Sequence, residues 1–304
     1  MPFAESGSLR LYHETAGSGP PVLLVSGQGM NRCAWRRTVP VLARWFQVIS
    51  FDNRDTGRSD HTFWPYTTPQ MADDAIAVLD AVGAERAHIY GMSLGGMVAQ
   101  QIALRHPDRV GALILGSTTP GGLRVVLPDL KTLTFFVRAG WMGPEEAEWA
   151  AVQYRYGKAT RRERGHLIAD DIAHRGAFPV APLAYLHQMA AAATHGTLGR
   201  LGTISAPTLV VHGEQDVVMP LANARRLADA IPDAELTVWP GAGHLYATDE
   251  PRADEEIARF LMCHSAALRR RPPQRRQAPR LPAAVNGSQV ASRRFGIAAG
   301  PSSS

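Results

Sequence analysis

Gly91-Met92-Ser93-Leu94-Gly95 sets a serine midway between two glycines, directly after the apolar run Ala87 to Tyr90 and directly before a stretch of helical spacing. A serine on a sharp strand-to-helix turn is held at strained backbone angles. Bulky side chains two residues before and after it would collide, so glycine is needed at both places. The same turn sets Ser93 at the positive end of a helix and presents the Leu94 N–H beside it, where it can donate to an oxyanion. The chemistry implied is nucleophilic attack on a carbonyl carbon.

A serine hydroxyl is a weak nucleophile until a positioned base accepts its proton, so a histidine and a carboxylate are required farther along the chain. The segment His212-Gly213-Glu214-Gln215-Asp216 follows the apolar run Pro207 to His212, which brings its acidic residues to the carboxyl edge of a sheet. Asp216 and Glu214 compete for the role. His244 ends the small-residue loop Pro240-Gly241-Ala242-Gly243-His244, and among the eleven histidines it is the one in such a loop after the last strand. His187 and His195 are candidates for substrate contact. A second oxyanion donor is expected from the turn Ser26-Gly27-Gln28-Gly29-Met30, where position favours the Gln28 N–H over Gly27 or Gly29.

These residues need a scaffold. Strand-like runs at Leu9 to His13, Pro21 to Ser26, Gln47 to Asp52, Ala87 to Gly91, Val110 to Gly116, Pro207 to His212 and Glu235 to Trp239 alternate with helical stretches. The helical stretches are Ala34 to Trp45, Met71 to Val82, Leu94 to Arg105, Leu221 to Ile231 and Pro251 to Cys263. Strands apolar on both faces and separated by helices imply an α/β fold with a mostly parallel sheet covered on both sides. Residues 120–201 break the rhythm. Helical spacing recurs around Pro128 to Arg138, Pro144 to Tyr154, Arg161 to His174 and Pro182 to Thr194 with no strand, which predicts a helical cap inserted into a core of residues 1–119 and 202–264. Its Phe135, Phe136, Trp141, Trp149, Tyr154 and Tyr185 suit either the cap's own core or an apolar, ring-containing part of a substrate.

The chain of 304 residues, 45% hydrophobic, can bury a full core. Its net charge of +5 is misleading, because eight arginines and no acidic residue or lysine lie in residues 265–304, and without them the body stands at −3. That excludes a polyanion footprint on the body and predicts no nucleic-acid partner. The terminal forty residues, rich in Pro, Arg, Ala, Ser and Gly, are expected to form a disordered basic tail. No run is long enough for a membrane span, and the first twelve residues lack a signal-peptide pattern. Cys33 and Cys263 have no metal-ligand spacing, so no metal and a reducing, cytoplasmic setting are expected. Oligomeric state is not legible.

Taken in order, the glycine turn at Gly27, the segment Asp52-Asn53-Arg54-Asp55-Thr56-Gly57-Arg58-Ser59, the elbow at Ser93 and the pair Asp216 and His244 resemble the α/β-hydrolase superfamily with an inserted cap, over about residues 8–264. The resemblance favours Asp216 over Glu214, since Asp216 is followed by Val217-Val218-Met219-Pro220, a family-like spacing to proline. Ser26 departs from the pattern, for many members carry histidine there. The Asp52 to Ser59 segment is similar to that of small-molecule esterases and lactonases, including enol-lactonases and polyketide methyl-esterases. On its residues alone it reads as a loop brace, with Arg54 and Asp55 not catalytic. The resemblance implies a cofactor-independent serine hydrolase acting on an ester or lactone through an acyl-enzyme. Carbon–carbon bond hydrolysis, thioester hydrolysis, peracid formation, and a non-hydrolytic lyase, cyclase or binding role on the same fold are the alternatives. An aspartate-nucleophile reaction is disfavoured by the serine at the elbow.

Overall fold

In the computed structural model, which describes residues 2–269, eight strands form one sheet in the order β1-β2-β4-β3-β5-β6-β7-β8. They are β1 (Phe3–Ser6), β2 (Leu9–Ala16), β3 (Pro21–Val25), β4 (Gln47–Phe51), β5 (Ala87–Met92), β6 (Val110–Gly116), β7 (Thr208–Gly213) and β8 (Glu235–Trp239). β2 pairs antiparallel with β1 and β4, and every pairing from β4 to β8 is parallel. The strand β1 carries no sequence signal of its own. It is four residues long and exists as the partner of β2, Phe3 facing Tyr12 and Ser6 facing Leu9.

The helices are α1 (Thr38–Leu42), α2 (Thr68–Ala81), α3 (Leu94–Arg105), α4 (Leu130–Ala139), α5 (Pro144–Ala150), α6 (Val152–Arg155), α7 (Lys158–Glu163), α8 (Gly165–Gly176), α9 (Pro182–Ala193), α10 (Leu221–Ala230), α11 (Tyr246–Asp249), α12 (Arg252–His264) and α13 (Ala266–Arg269). Side chains alternate across the strands and so build two cores. Leu23, Val25, Ile49, Ile89, Leu113 and Val210 face α2, α3 and α10, whereas Val22, Leu24, Val48, Tyr90, Ile114 and Val211 face α1 and α12. β5, β6 and β7 are buried along their whole length. Each such aliphatic side chain contributes about 1.5–3 kcal/mol on leaving water, which makes the middle of the sheet the rigid platform for whatever sits at its edge.

Some boundaries differ from those the sequence predicts. The helix expected over Ala34 to Trp45 is a short 3-10 turn, Arg32–Trp35, followed by α1, because Pro40 has no N–H and its ring clashes with a continuous helix. α2 begins three residues early, at Thr68. Thr67 and Gln70 form a capping box in which the Gln70 side chain accepts the Thr67 N–H at 2.9 Å, and Pro69 suits the first turn. Between β6 and β7 stand six helices, α4 to α9, where spacing predicts four. Residues Ala266–Arg269, placed by sequence in a disordered tail, form α13, and a side chain on Gly111 of β6 would run into Leu268. The rest of that tail lies outside the described residues. Among the described residues no helix is long and apolar enough to cross a membrane.

On the α12 face, Asp254 is 2% exposed. Burial, opposed only by a hydrogen bond from Thr38, pushes its carboxyl up to about 7. An acid whose native pKa exceeds its unfolded value of about 3.9 holds its proton more tightly when folded, so stability falls as pH rises through that interval. Asp254→Asn is therefore expected to melt several degrees above the unmodified protein at pH 8, with the difference closing toward pH 4 in thermal denaturation.

Candidate active site

Ser93 lies between β5 and α3 with φ 57° and ψ −121°, an unusual conformation for a residue with a side chain. Short hydrogen bonds to its backbone hold it there. Its N–H donates to the Gly116 carbonyl at 2.9 Å, and its own carbonyl accepts from the Gly96 N–H at 2.9 Å and the Thr118 hydroxyl at 2.7 Å. The two flanking glycines are sterically required. A Cβ on Gly91 would strike the Gly95 carbonyl, and one on Gly95 would strike the Val25 carbonyl at the end of β3. The elbow is thus wedged between neighbouring strands, and Gly27 packs against it as well, since a Cβ there would stand 3.2 Å from that of Ser93.

At the ends of β7 and β8 the structure brings Asp216 and His244 together, with His244 Nδ1 2.8 Å from Asp216 Oδ2. The other carboxylate oxygen, Oδ1, accepts the N–H groups of Val218 and Met219, both at 2.9 Å. Burial alone would raise the Asp216 carboxyl, but the charge and hydrogen bond of His244, helped by His212 and the Met219 N–H, outweigh it and hold the group below the usual carboxylate range. Glu214 points elsewhere: it is exposed and accepts the Gly241 N–H at 3.0 Å. The His244 loop is itself pinned. Buried Asp249 accepts the N–H groups of Gly243 at 2.7 Å and Gly157 at 2.9 Å, and the Leu245 N–H donates to the Arg155 carbonyl at 2.8 Å.

Ser93 and His244 line one cavity of about 510 Å³, together with Gln28, Met97, Phe136, Met189 and Met219. In the turn after β3 the Gly29 N–H is taken by Gln188 Oε1 at 2.7 Å, which removes Gly29 as an oxyanion donor. The N–H groups of Gln28 and Leu94 have no partner among the described residues, and Gln28 anchors its side chain by donating from Nε2 to the Tyr185 carbonyl at 3.4 Å.

The remaining candidates divide. His195 is in the cavity wall, with both ring nitrogens occupied by Thr68 Oγ1 at 3.0 Å and Gln100 Oε1 at 3.5 Å. Burial lowers it to about 4, so it is neutral. His187, on α9, is not on this cavity; its Nδ1 stands 3.4 Å from Asp55 Oδ2. Arg54 pairs with Asp74 through both Nε and Nη2, at 2.5 and 2.7 Å, and Asp52 accepts the Arg32 and Arg58 N–H groups at 2.8 and 2.9 Å. The Asp52 to Ser59 segment is accordingly a brace. Of the aromatic residues, Phe136 and Tyr185 face the cavity, Phe135 stacks on Tyr154 at 4.5 Å, and Trp141 and Trp149 are exposed and line no part of it. Sequence reasoning missed the roles of Thr118, Gln188, His212 and Asp249, each of which acts through one or two hydrogen bonds to backbone groups. Among the described residues no group of three or more His, Cys, Asp or Glu could hold a metal ion.

With this geometry in view, a family model described as the alpha/beta hydrolase family matches residues 22–259. The protein named carbamate hydrolase RutD in Azorhizobium caulinodans is 30% identical, over 84% of this chain and 96% of its own length. The structure of Est816, described as an N-acyl homoserine lactone degrading enzyme, is similar at 32% identity, with a TM-score of 0.72 and coverage of 85% of this chain and 99% of its own. The enol-lactonase of Burkholderia xenovorans has the same fold, with a TM-score of 0.77, 23% identity, and 86% and 100% coverage.

The wedge at the elbow makes Gly95→Ala severe. It is expected to lower the melting temperature by many degrees or prevent folding, whereas Gly165→Ala, where nothing lies within 4 Å of the added carbon, leaves the melt unchanged or raised. Differential scanning fluorimetry of both variants checks this.

Proposed function

The chain belongs to the alpha/beta hydrolase family and is a hydrolase of that class, and on that premise we propose that it cleaves the ester or lactone bond of a small, largely apolar molecule through an acyl-enzyme on Ser93. The observation that carries the reading is the meeting, on one cavity, of a serine at a strained strand-to-helix turn and a histidine whose Nδ1 is committed to a buried carboxylate. With Nδ1 so engaged, Nε2 is the nitrogen that accepts the Ser93 proton as Oγ attacks the carbonyl carbon. Asp216 fixes that tautomer and stabilises the imidazolium that forms. The Leu94 and Gln28 N–H groups hold the oxyanion. Collapse expels the alcohol, which takes its proton from His244. Water then gives a proton to His244, attacks the acyl carbon, and releases the acid with Ser93 restored. No cofactor enters these steps.

We take residues 120–201 as the cap that shapes the cavity, with Phe136, Tyr185 and Met189 supplying the apolar wall. The likeness to Est816 supports a lactone, and the likeness to RutD favours a second substrate, a carbamate, whose carbonyl the same nucleophile and oxyanion donors would process.

Steady-state kinetics on a panel of short aryl esters, lactones and carbamates tests the proposal. Ser93→Ala is expected to lose all turnover while keeping its melting temperature. Asp216→Asn is expected to lower kcat by about 10⁴, as the wrong histidine tautomer does in triad enzymes generally. Turnover by Ser93→Ala at the unmodified rate would overturn the covalent route.

A further inference from the structure

The catalytic cavity has a neighbour of about 410 Å³, and Arg155 and Tyr185 form part of the wall of both. Arg155, at the end of α6, is only 7% exposed. Its Nη1 donates to Glu148 Oε1 at 2.7 Å, but Glu148 is shared, since Arg175 donates from Nε and Nη2 to Oε2 at 3.0 and 2.7 Å. Although burial would raise the Glu148 carboxyl, the two guanidinium charges hold it down at about 2, so it is fully ionised. Two cations on one carboxylate leave a buried net positive charge. Such a charge is costly unless a further anion meets it.

Both arginines of this cluster keep unpaired donors, but of the two only Arg155 borders the catalytic cavity. Its Nε and Nη2 make no hydrogen bond among the described residues, and they are not sealed from solvent as the unpartnered Nε of Arg32 is. With the residue buried and lining the two cavities, the surface they reach is cavity surface. Arg175, whose Nη2 also donates to the Tyr156 hydroxyl at 3.2 Å and whose Nη1 has no partner among the described residues, lines the neighbouring cavity but not the catalytic one. The position of Arg155 is fixed relative to the reacting groups, because its carbonyl accepts the Leu245 N–H beside His244, and Gly243 of that loop packs so closely on Arg155 and Tyr156 that no side chain would fit.

We infer that Arg155 is a specificity residue that receives a carboxylate of the substrate, so that the enzyme acts on esters or lactones which carry a second, ionised carboxyl group, the carbonyl at Ser93 and the carboxylate on the two free donors of Arg155. The inference rests on the serine hydrolase reading and narrows its substrate class. A guanidinium presents paired donors in a plane that matches a carboxylate, and in a site poor in water such a pair is strong.

The test compares 4-nitrophenyl half-esters of succinic, glutaric and adipic acids with neutral 4-nitrophenyl esters of matched chain length. In the unmodified protein at least one half-ester is expected to exceed its neutral counterpart in kcat/KM by about tenfold to a hundredfold, the range of a charge-assisted hydrogen bond. Arg155→Met, which keeps the apolar stem, should collapse that ratio mainly through KM, and Arg155→Lys should restore part of it. A measurement that needs no variant runs beside it: hexanoate should inhibit hydrolysis of the neutral ester competitively, and hexanamide should not. If neutral esters are hydrolysed but no half-ester is preferred and hexanoate inhibits no better than hexanamide, the assignment of Arg155 is wrong while the serine reading stands. If the folded protein hydrolyses neither series, the serine reading itself fails.

Discussion

Ser93 keeps a backbone conformation that a side-chain-bearing residue adopts only under constraint, and the constraint is close packing between backbones. The end of β3, the turn that follows it, the last residues of β6 and the first turn of α3 all touch the elbow, each through a carbonyl, an N–H or a missing Cβ. None of these contacts is large. Together they leave the serine no alternative, and they do so because β5 and β6 are buried along their whole length and β3 beyond its first residue, so none of them can yield. The rest of the site is arranged around that fixed point.

The histidine loop is positioned by different physics. It has little apolar area, so its place is set by hydrogen bonds from its own backbone to Asp249 and Arg155, and by the carboxylate of Asp216. The carboxylate in turn is satisfied by two consecutive N–H groups on one oxygen and by His244 on the other. A buried charge so completely solvated by the protein is a stable feature, and it remains ionised in spite of its burial. The strained turn and the solvated carboxylate thus meet across an apolar cavity whose one buried cation is Arg155 among the residues that line it.

What could be read from the sequence follows from what each feature rests on. The elbow was legible because steric exclusion demands glycine at fixed spacing, and the parallel sheet because strands buried on both faces are apolar throughout. Asp216 against Glu214 was not decidable from the residues alone, as both leave the same strand end; only the fold turns one inward to His244 and the other to Gly241. Nor could spacing reveal that Gln188, from α9, would take the Gly29 N–H, or that Asp249 would clamp the loops at Gly157 and Gly243 together, since those contacts depend on tertiary approach. The six helices between β6 and β7 were seen as helical but miscounted. Short helices joined by single residues, as α5 and α6 are at Ala151, share one periodicity.

Covalent labelling by a fluorophosphonate, read by intact mass and peptide mapping, reports whether Ser93 is an activated nucleophile. A single adduct is expected, on Ser93, that forms in the unmodified protein and fails to form in His244→Ala. A folded protein that takes no label, or takes it at another residue while Ser93 stays free, would contradict it.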